Sequence, residues 1–313
     1  MRRRLRLLLV LVGLPFGGLP AEAEPGGWSR GAPAPAPRSE VAVAALDGKA
    51  YVVGDYNGAT GLLIYDSAAD SWREGAPFPH PVHHAMAAGF GGKLYVFGGY
   101  VNGWEASPEV WAYDPERNAW ERRADLPTPR AAGGAVLLGE GIHVIGGSVS
   151  GRKNDPAHEV YDPASDRWSR AAPLRTPRDH LAVQAVDGRI LALAGRRDGD
   201  PAGNLATTES YDPKADSWSE AAPLPTPRSG VASAVLDGKV FVLGGESREQ
   251  TYGAVEAFSP RTGRWERFAP LPTPRHGFGA LVHDGRIVTL TGSPKPGGDR
   301  SNLVERFDPS AAP

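Results

Sequence analysis

WERRADLPTPR (Trp120–Arg130), WSRAAPLRTPR (Trp168–Arg178), WSEAAPLPTPR (Trp218–Arg228) and WERFAPLPTPR (Trp265–Arg275) are four copies of one phrase in a chain of 313 residues. Trp28 and Trp72 open looser copies, so six tryptophans recur at steps of 44, 48, 48, 50 and 47. Self-similarity at this period is the mark of a solenoid, a propeller or an array. Working outward from each tryptophan, three intervals are fixed. Ten residues separate Trp from the end of the PR phrase, thirteen more reach the middle of an apolar run, and seven join the aromatic of a YDP-like phrase to the next Trp. The remaining interval takes 14, 18, 18, 20, 17 and 19 residues, so all the length variation sits in one segment.

Within a unit, short apolar runs are split by turn signals, as successive β-strands are. Val41–Leu46, Asp47-Gly48 and Lys49–Val53 read as one hairpin, and Val231–Leu236, Asp237-Gly238 and Lys239–Leu243 as another. Asp-Gly supplies the positive-φ residues of a tight hairpin. A third strand ends at the YDP-like phrase and a fourth begins at Trp. Four antiparallel strands per unit describe a propeller blade.

The pattern PR…DGK-apolar-GG…E-apolar-YDP…W resembles the kelch repeat. Gly98-Gly99, Gly146-Gly147 and Gly244-Gly245 supply its glycine pair, and Tyr113-Asp114-Pro115, Tyr161-Asp162-Pro163 and Tyr211-Asp212-Pro213 its aromatic turn. The resemblance covers nearly all of residues 28–308 and implies an all-β, six-bladed propeller. Blade repeats fall at about 38–81, 82–129, 130–177, 178–227, 228–274 and 275–313. Trp28 has no YDP phrase before it, and the last blade ends before its own Trp. Residues 24–37 are therefore expected to supply the outermost strand of that blade and hide two sheet edges.

Met1–Ala23 joins a basic stretch (Arg2, Arg3, Arg4, Arg6) to an apolar run and Ala21-Glu22-Ala23, the pattern of a cleaved secretory signal. The expected protein is secreted or periplasmic, a monomer, with residues 24–313 as one domain. Removing four arginines and one glutamate would move the formal charge from −2 to −5. So acidic a chain lacks the clustered basic surface that nucleic acid requires, and no other segment approaches the length of a membrane span. Zero cysteines exclude disulfides, thiolate metal sites and the cysteine-crosslinked tyrosine of copper-radical oxidases in this family.

In an antiparallel blade a-b-c-d, the d–a and b–c connections share one face. That face carries the length variation, and variable loops on a rigid scaffold are where binding concentrates. Its candidate ligand-binding residues are Arg38, Arg130, Arg178, Arg228 and Arg275 of the PR phrases, His84 and His180 two residues after that point, and Tyr100, Trp104, Arg152, Arg196, Arg197, Arg248 and Tyr252 of the b–c loops. The face reads as mixed, leaning basic, with exposed Tyr100 and Trp104 suited to stacking on a sugar-like or anionic ligand. The regular recurrence of the PR arginines equally suits a structural role, bonding to a neighbouring blade. In family adaptors that bind acidic peptides, arginines at the PR position and two residues later reach the central pocket. The later position here holds Glu40, His84, Ala132, His180, Gly230 and Gly277, so that pocket is not reproduced.

The chain contains no HExxH, nucleophile elbow or phosphate loop. His83 and His84 are adjacent, and on a strand their side chains would diverge, so neither metal nor cofactor is expected. The leading expectation is an exported module that binds a protein or carbohydrate. The family resemblance also implies an alternative, a periplasmic epimerase or mutarotase of sialic acid, with Glu40, His84 and His180 as acid–base groups and Arg178 holding the sugar carboxylate.

Overall fold

The computed structural model describes residues 25–311, so the expected signal at 1–23 lies outside the described residues. Six four-stranded antiparallel sheets follow one another, spanning 42–75, 86–123, 134–170, 182–220, 232–268, and 279–308 joined by Gly27–Arg30. We number them blades 1 to 6, with strands a to d running from the axis outward. The innermost strands of neighbouring blades touch in a closed circuit that returns from blade 6 to blade 1. In blade 6 the strand Gly27–Arg30 pairs with Val304–Asp308, placing Trp28 opposite Phe307. The Asp47-Gly48 and Asp237-Gly238 turns have positive φ at both residues, as their tight a–b hairpins demand.

Each signature tryptophan holds the blade before its own. Its indole nitrogen donates to the carbonyl of an alanine at the end of that blade, from Trp28 to Ala269, Trp72 to Ala32, Trp120 to Ala76, Trp168 to Ala124, Trp218 to Ala172 and Trp265 to Ala222, at 2.8–3.0 Å. In four blades the c–d turn adds a second tie: Asp70, Asn118, Asp166 and Asp216 accept both from their own blade's tyrosine hydroxyl and from that same alanine's amide. The sheets' apolar faces meet between blades, as where Phe97, Leu126, Ile142 and Tyr161 pack together.

Around the axis a single residue from each blade completes a ring of backbone hydrogen bonds. His84 N donates to Glu40 O, Ala132 to His84, His180 to Ala132, Gly230 to His180, Gly277 to Gly230, and Glu40 to Gly277, at 2.7–3.0 Å. All six have φ between 53° and 66°. The d–a and b–c connections meet beside this ring, through bridges such as Asp179 to Arg196 and Ser229 to Glu246.

Candidate functional site

The position two residues after the PR arginine is where the chain turns the corner into the innermost strand. Left-handed backbone at that corner suits glycine, which Gly230 and Gly277 supply. Glu40, His84 and His180 adopt it with full side chains, and those side chains enter the axial space. Because His84 has a φ of 55°, the strand alternation expected for His83 and His84 fails. Their Nδ1 atoms come to 2.6 Å and the rings to 4.8 Å, correcting the expectation that the two side chains diverge.

A belt of buried ionisable side chains lines the axial pocket. Glu40 Oε2 lies 3.0 Å from His84 Nε2, and Glu40 Oε1 lies 3.0 Å from His276 Nδ1. His276 Nε2 reaches the Glu246 carboxylate at 3.4 Å, and Glu246 receives Arg196 Nη1 at 2.7 Å. Arg196 also contacts Asp179 at 3.2 Å and gives Nη2 to His180 Nε2 at 2.8 Å, while Asp179 binds His180 Nδ1. The His180 ring then meets the His84 ring at 4.8 Å, which closes the belt. All these groups are at most 8 % exposed.

Burial and neighbours perturb their titration. Burial would raise the Glu40 pKa, but His84 and His276 together hold it well below the usual carboxylate value. Burial likewise opposes the charged form of Asp179, and its contacts with His180, Arg196 and Asn154 lower its pKa nevertheless. Burial depresses the His180 pKa, and Arg196 adds to the effect. Burial, with His84 nearby, brings His83 down to about 4. For His276 burial works downward, yet Glu40, Glu246 and the Lys295 carbonyl raise its pKa. Three carboxylates thus face one guanidinium and one imidazole of raised pKa. The floor of this face does not lean basic, contrary to expectation.

Above the belt lies a cavity of about 500 Å³ walled by Trp104, Arg152, His180, Arg196 and Arg248. It shares Trp104, Arg196 and Arg248 with an adjoining space of about 340 Å³ over Glu40, His84 and His276. Trp104 sits near the tip of a small hairpin in the blade 2 b–c loop, formed by Tyr100–Val101 and Glu105–Ala106. It is 48 % exposed and is flanked by Tyr56, His83 and Tyr100 at ring separations of 5.0–6.3 Å. Tyr100 itself is 1 % exposed, so it supports Trp104 from below and is not the open platform expected.

The structure separates the remaining candidates. Arg130, Arg178, Arg228 and Arg275 are fully buried, each paired with a glutamate on strand c of its own blade: Glu159, Glu209, Glu256 and Glu305. They therefore do not face ligand, nor do their carboxylate pairs reach a neighbouring blade. Arg178 is likewise withdrawn as a carboxylate-holding group, since Glu209 and the Thr176 and Ala192 carbonyls occupy it. Arg38 is also buried, and the strand-c position that would pair with it holds Leu63. Arg197 opens into a separate depression with Asn154 and Arg175, and half-buried Tyr252 does not line the axial cavity.

Asp179 and His276 escaped the reading of the sequence. Both follow the PR arginine directly, where the other blades carry Ser39, His83, Ala131 and Ser229. Their departure from a small residue was the signal available.

Comparison with known proteins bears on the fold. A family model described as KLHDC2/KLHL20/DRC7 Kelch-repeats domain matches residues 83–292. The solved structure of YjhT superposes with a TM-score of 0.77 at 17% sequence identity, over 87% of this chain and 95% of that one. No curated protein sequence matches.

Proposed function

The chain belongs to the kelch-repeat family, and from that premise we propose that it is a binding module whose ligand is a small sugar-like polyol seated in the axial cavity. One observation carries this reading: the half-exposed face of Trp104 stands over a belt of carboxylate, guanidinium and imidazole groups. An aromatic face takes the apolar side of a sugar ring. Charged acceptors and donors take its hydroxyls, with bonds stronger than neutral ones. The basic and apolar leader at Met1–Ala23 supports an exported protein, secreted or periplasmic, that meets free glycans outside the cytoplasm.

A glycan array followed by calorimetry tests the proposal. Trp104→Ala is expected to weaken the bound saccharide at least tenfold, about 1.4 kcal/mol, with Trp104→Phe recovering part of it. If no saccharide binds and an array of peptides does, the module recognises protein and the reading is wrong.

A second reading rests on a different observation, the placement of Glu40 between His84 and His276 at 3.0 Å from each. A carboxylate flanked by imidazoles can move protons to and from an anomeric oxygen, so the module could open and close sugar rings. NMR exchange between anomers of sialic acid and of neutral hexoses measures this. Catalysed exchange lost in Glu40→Gln would establish it, and exchange no faster than in buffer would dismiss it.

A further inference from the structure

We propose that Glu40, His84 and His180 form a binding site for a divalent transition metal such as zinc, with the imidazoles ligating through Nε2. A ligand atom from each of the three lies within 4.8 Å of the others. They come from blades 1, 2 and 4, which the closed ring of backbone bonds holds together.

The hydrogen bonds of the two imidazoles place their lone pairs. His83 Nε2 is 2.9 Å from the Gly103 carbonyl, which can only accept, so that nitrogen carries the proton. With that proton placed, the hydrogen bond between His83 Nδ1 and His84 Nδ1 at 2.6 Å draws its proton from His84, and His83 Nδ1 accepts. His180 donates Nδ1–H to the Asp179 carboxylate. Both histidines are thereby left with Nε2 as the ligating atom. A carboxylate or a second acceptor behind the distal ring nitrogen is the usual support of a metal-bound histidine.

The lone pairs point at acceptors or cations already in place. His84 Nε2 stands 3.0 Å from Glu40 Oε2. Two bare acceptors that close repel, and the gap between them must hold a proton or a metal ion. Arg196 Nη2 occupies the His180 lone pair at 2.8 Å. Arg196 is thus a resident cation that competes with a metal. Ligand atoms on one zinc lie about 3.3 Å apart, given bonds near 2.0–2.1 Å, so small side-chain rotations suffice to close the set. Three protein ligands leave a fourth position for water or ligand from the cavity.

Symmetry breaking is the independent support. The same corner holds Ala132, Gly230 and Gly277 in the other blades. Large side chains on left-handed backbone are strained where glycine is not, and such strain persists where a site uses it. Three converging ligand side chains at three such corners fit a metal better than they fit packing.

Titration of the metal-free protein with zinc, followed by calorimetry and metal analysis, tests the site. One equivalent is expected to bind, weakened at least thirtyfold by His84→Ala and by His180→Ala. Arg196→Met is expected to tighten binding about tenfold or more by removing the competing cation, which a packing role for the histidines would not do. Should the alanine variants fail to fold, X-ray absorption at the zinc edge of the unaltered protein serves instead, with two imidazole nitrogens at about 2.0 Å expected. Absence of stoichiometric binding in both the unaltered protein and Arg196→Met overturns the proposal. So does binding that survives the alanine substitutions, or a bound zinc without two imidazoles.

Discussion

His143 and His158 stand in blade 3 where blade 5 has Phe241 and Val255. His143 Nδ1 and His158 Nε2 are 2.7 Å apart, and His158 Nδ1 reaches the Ala172 carbonyl. Burial lowers both pKa values to about 4, and His143 adds to the effect on His158. Imidazoles of the unfolded chain titrate near 6.5. Between these values the unfolded chain binds more protons than the folded one, so stability is complete above pH 6.5 and is lost as pH falls toward 4. Protonating the first of the pair costs about 3 kcal/mol. The double variant His143→Phe, His158→Val copies blade 5. Urea unfolding at pH 7 and pH 4.5 should show it losing about 4–5 kcal/mol less than the unaltered protein, about half of it from each imidazole. Equal losses would mean that these imidazoles are already charged when folded. The PR arginines follow related physics: an Arg–Glu pair at 0–1 % exposure is tolerated because both charges are compensated. Blade 2 shows the alternative, Val82 with Trp111 and no charge at either position.

The blade is the element, and its c–d turn decides how firmly it grips the one before. Blades 1 to 4 pair a tyrosine with Asp or Asn five residues on, and that acceptor also takes an amide of the preceding blade. Blade 5 has Phe258 and Gly263 at those positions, so both partners are lost together. Gly263 has a φ of 66° and open space where a Cβ would stand, and Asp is accommodated at a φ of 45–53° in the equivalent turns. Phe258→Tyr with Gly263→Asp should therefore restore the tie to Ala222. Each change alone should be neutral or unfavourable, because a hydroxyl buried without an acceptor costs more than it contributes. A double-mutant cycle should give favourable coupling of about 1 kcal/mol, and zero coupling would show that the tie does not form. The same comparison explains what the sequence made legible. Blade count, strand order and the variable rim followed from intervals that repeat. The belt followed only in part: Glu40, His84, His180 and Arg196 stood out, but not their joining into one belt with Asp179, Glu246 and His276, because these residues come from different blades and break the repeat singly. The PR arginines misled for the opposite reason. Their glutamate partners lie 28–31 residues further along and read as ordinary strand alternation until the fold brings them together.

At the scale of the whole ring, closure rests on one short strand. Gly27–Arg30 pairs with Val304–Asp308, Trp28 lies 4.8 Å from Phe307, and the Trp28 indole reaches Ala269 across the blade 5–blade 6 joint. Four of the remaining joints use the same tryptophan contact between consecutive blades, and at the fifth Trp72 of blade 1 reaches Ala32, just past this strand of blade 6. Here alone the fourth strand comes from the opposite end of the described sequence, so its attachment also fixes the relative position of distant segments. Two substitutions separate these contributions. Trp28→Ala and Trp168→Ala remove equivalent half-buried rings with equivalent bonds and should cost similar amounts, about 2–3 kcal/mol, toward the lower end for a buried aromatic. Deleting residues 25–31 removes the strand as well and exposes the edge of Val304–Asp308, which invites pairing with another chain. It should lower the melting temperature by about 10 °C or more, at about 2–4 °C per kcal/mol for a chain approaching this size, and promote association detectable by light scattering. The belt provides a local reading of closure: Glu40 belongs to blade 1 and His276 to blade 6, so their 3.0 Å contact spans the joint where the first and last blades meet. A truncated protein that melts with the full chain and stays monodisperse would show that the inner ring of backbone bonds holds the circle without it.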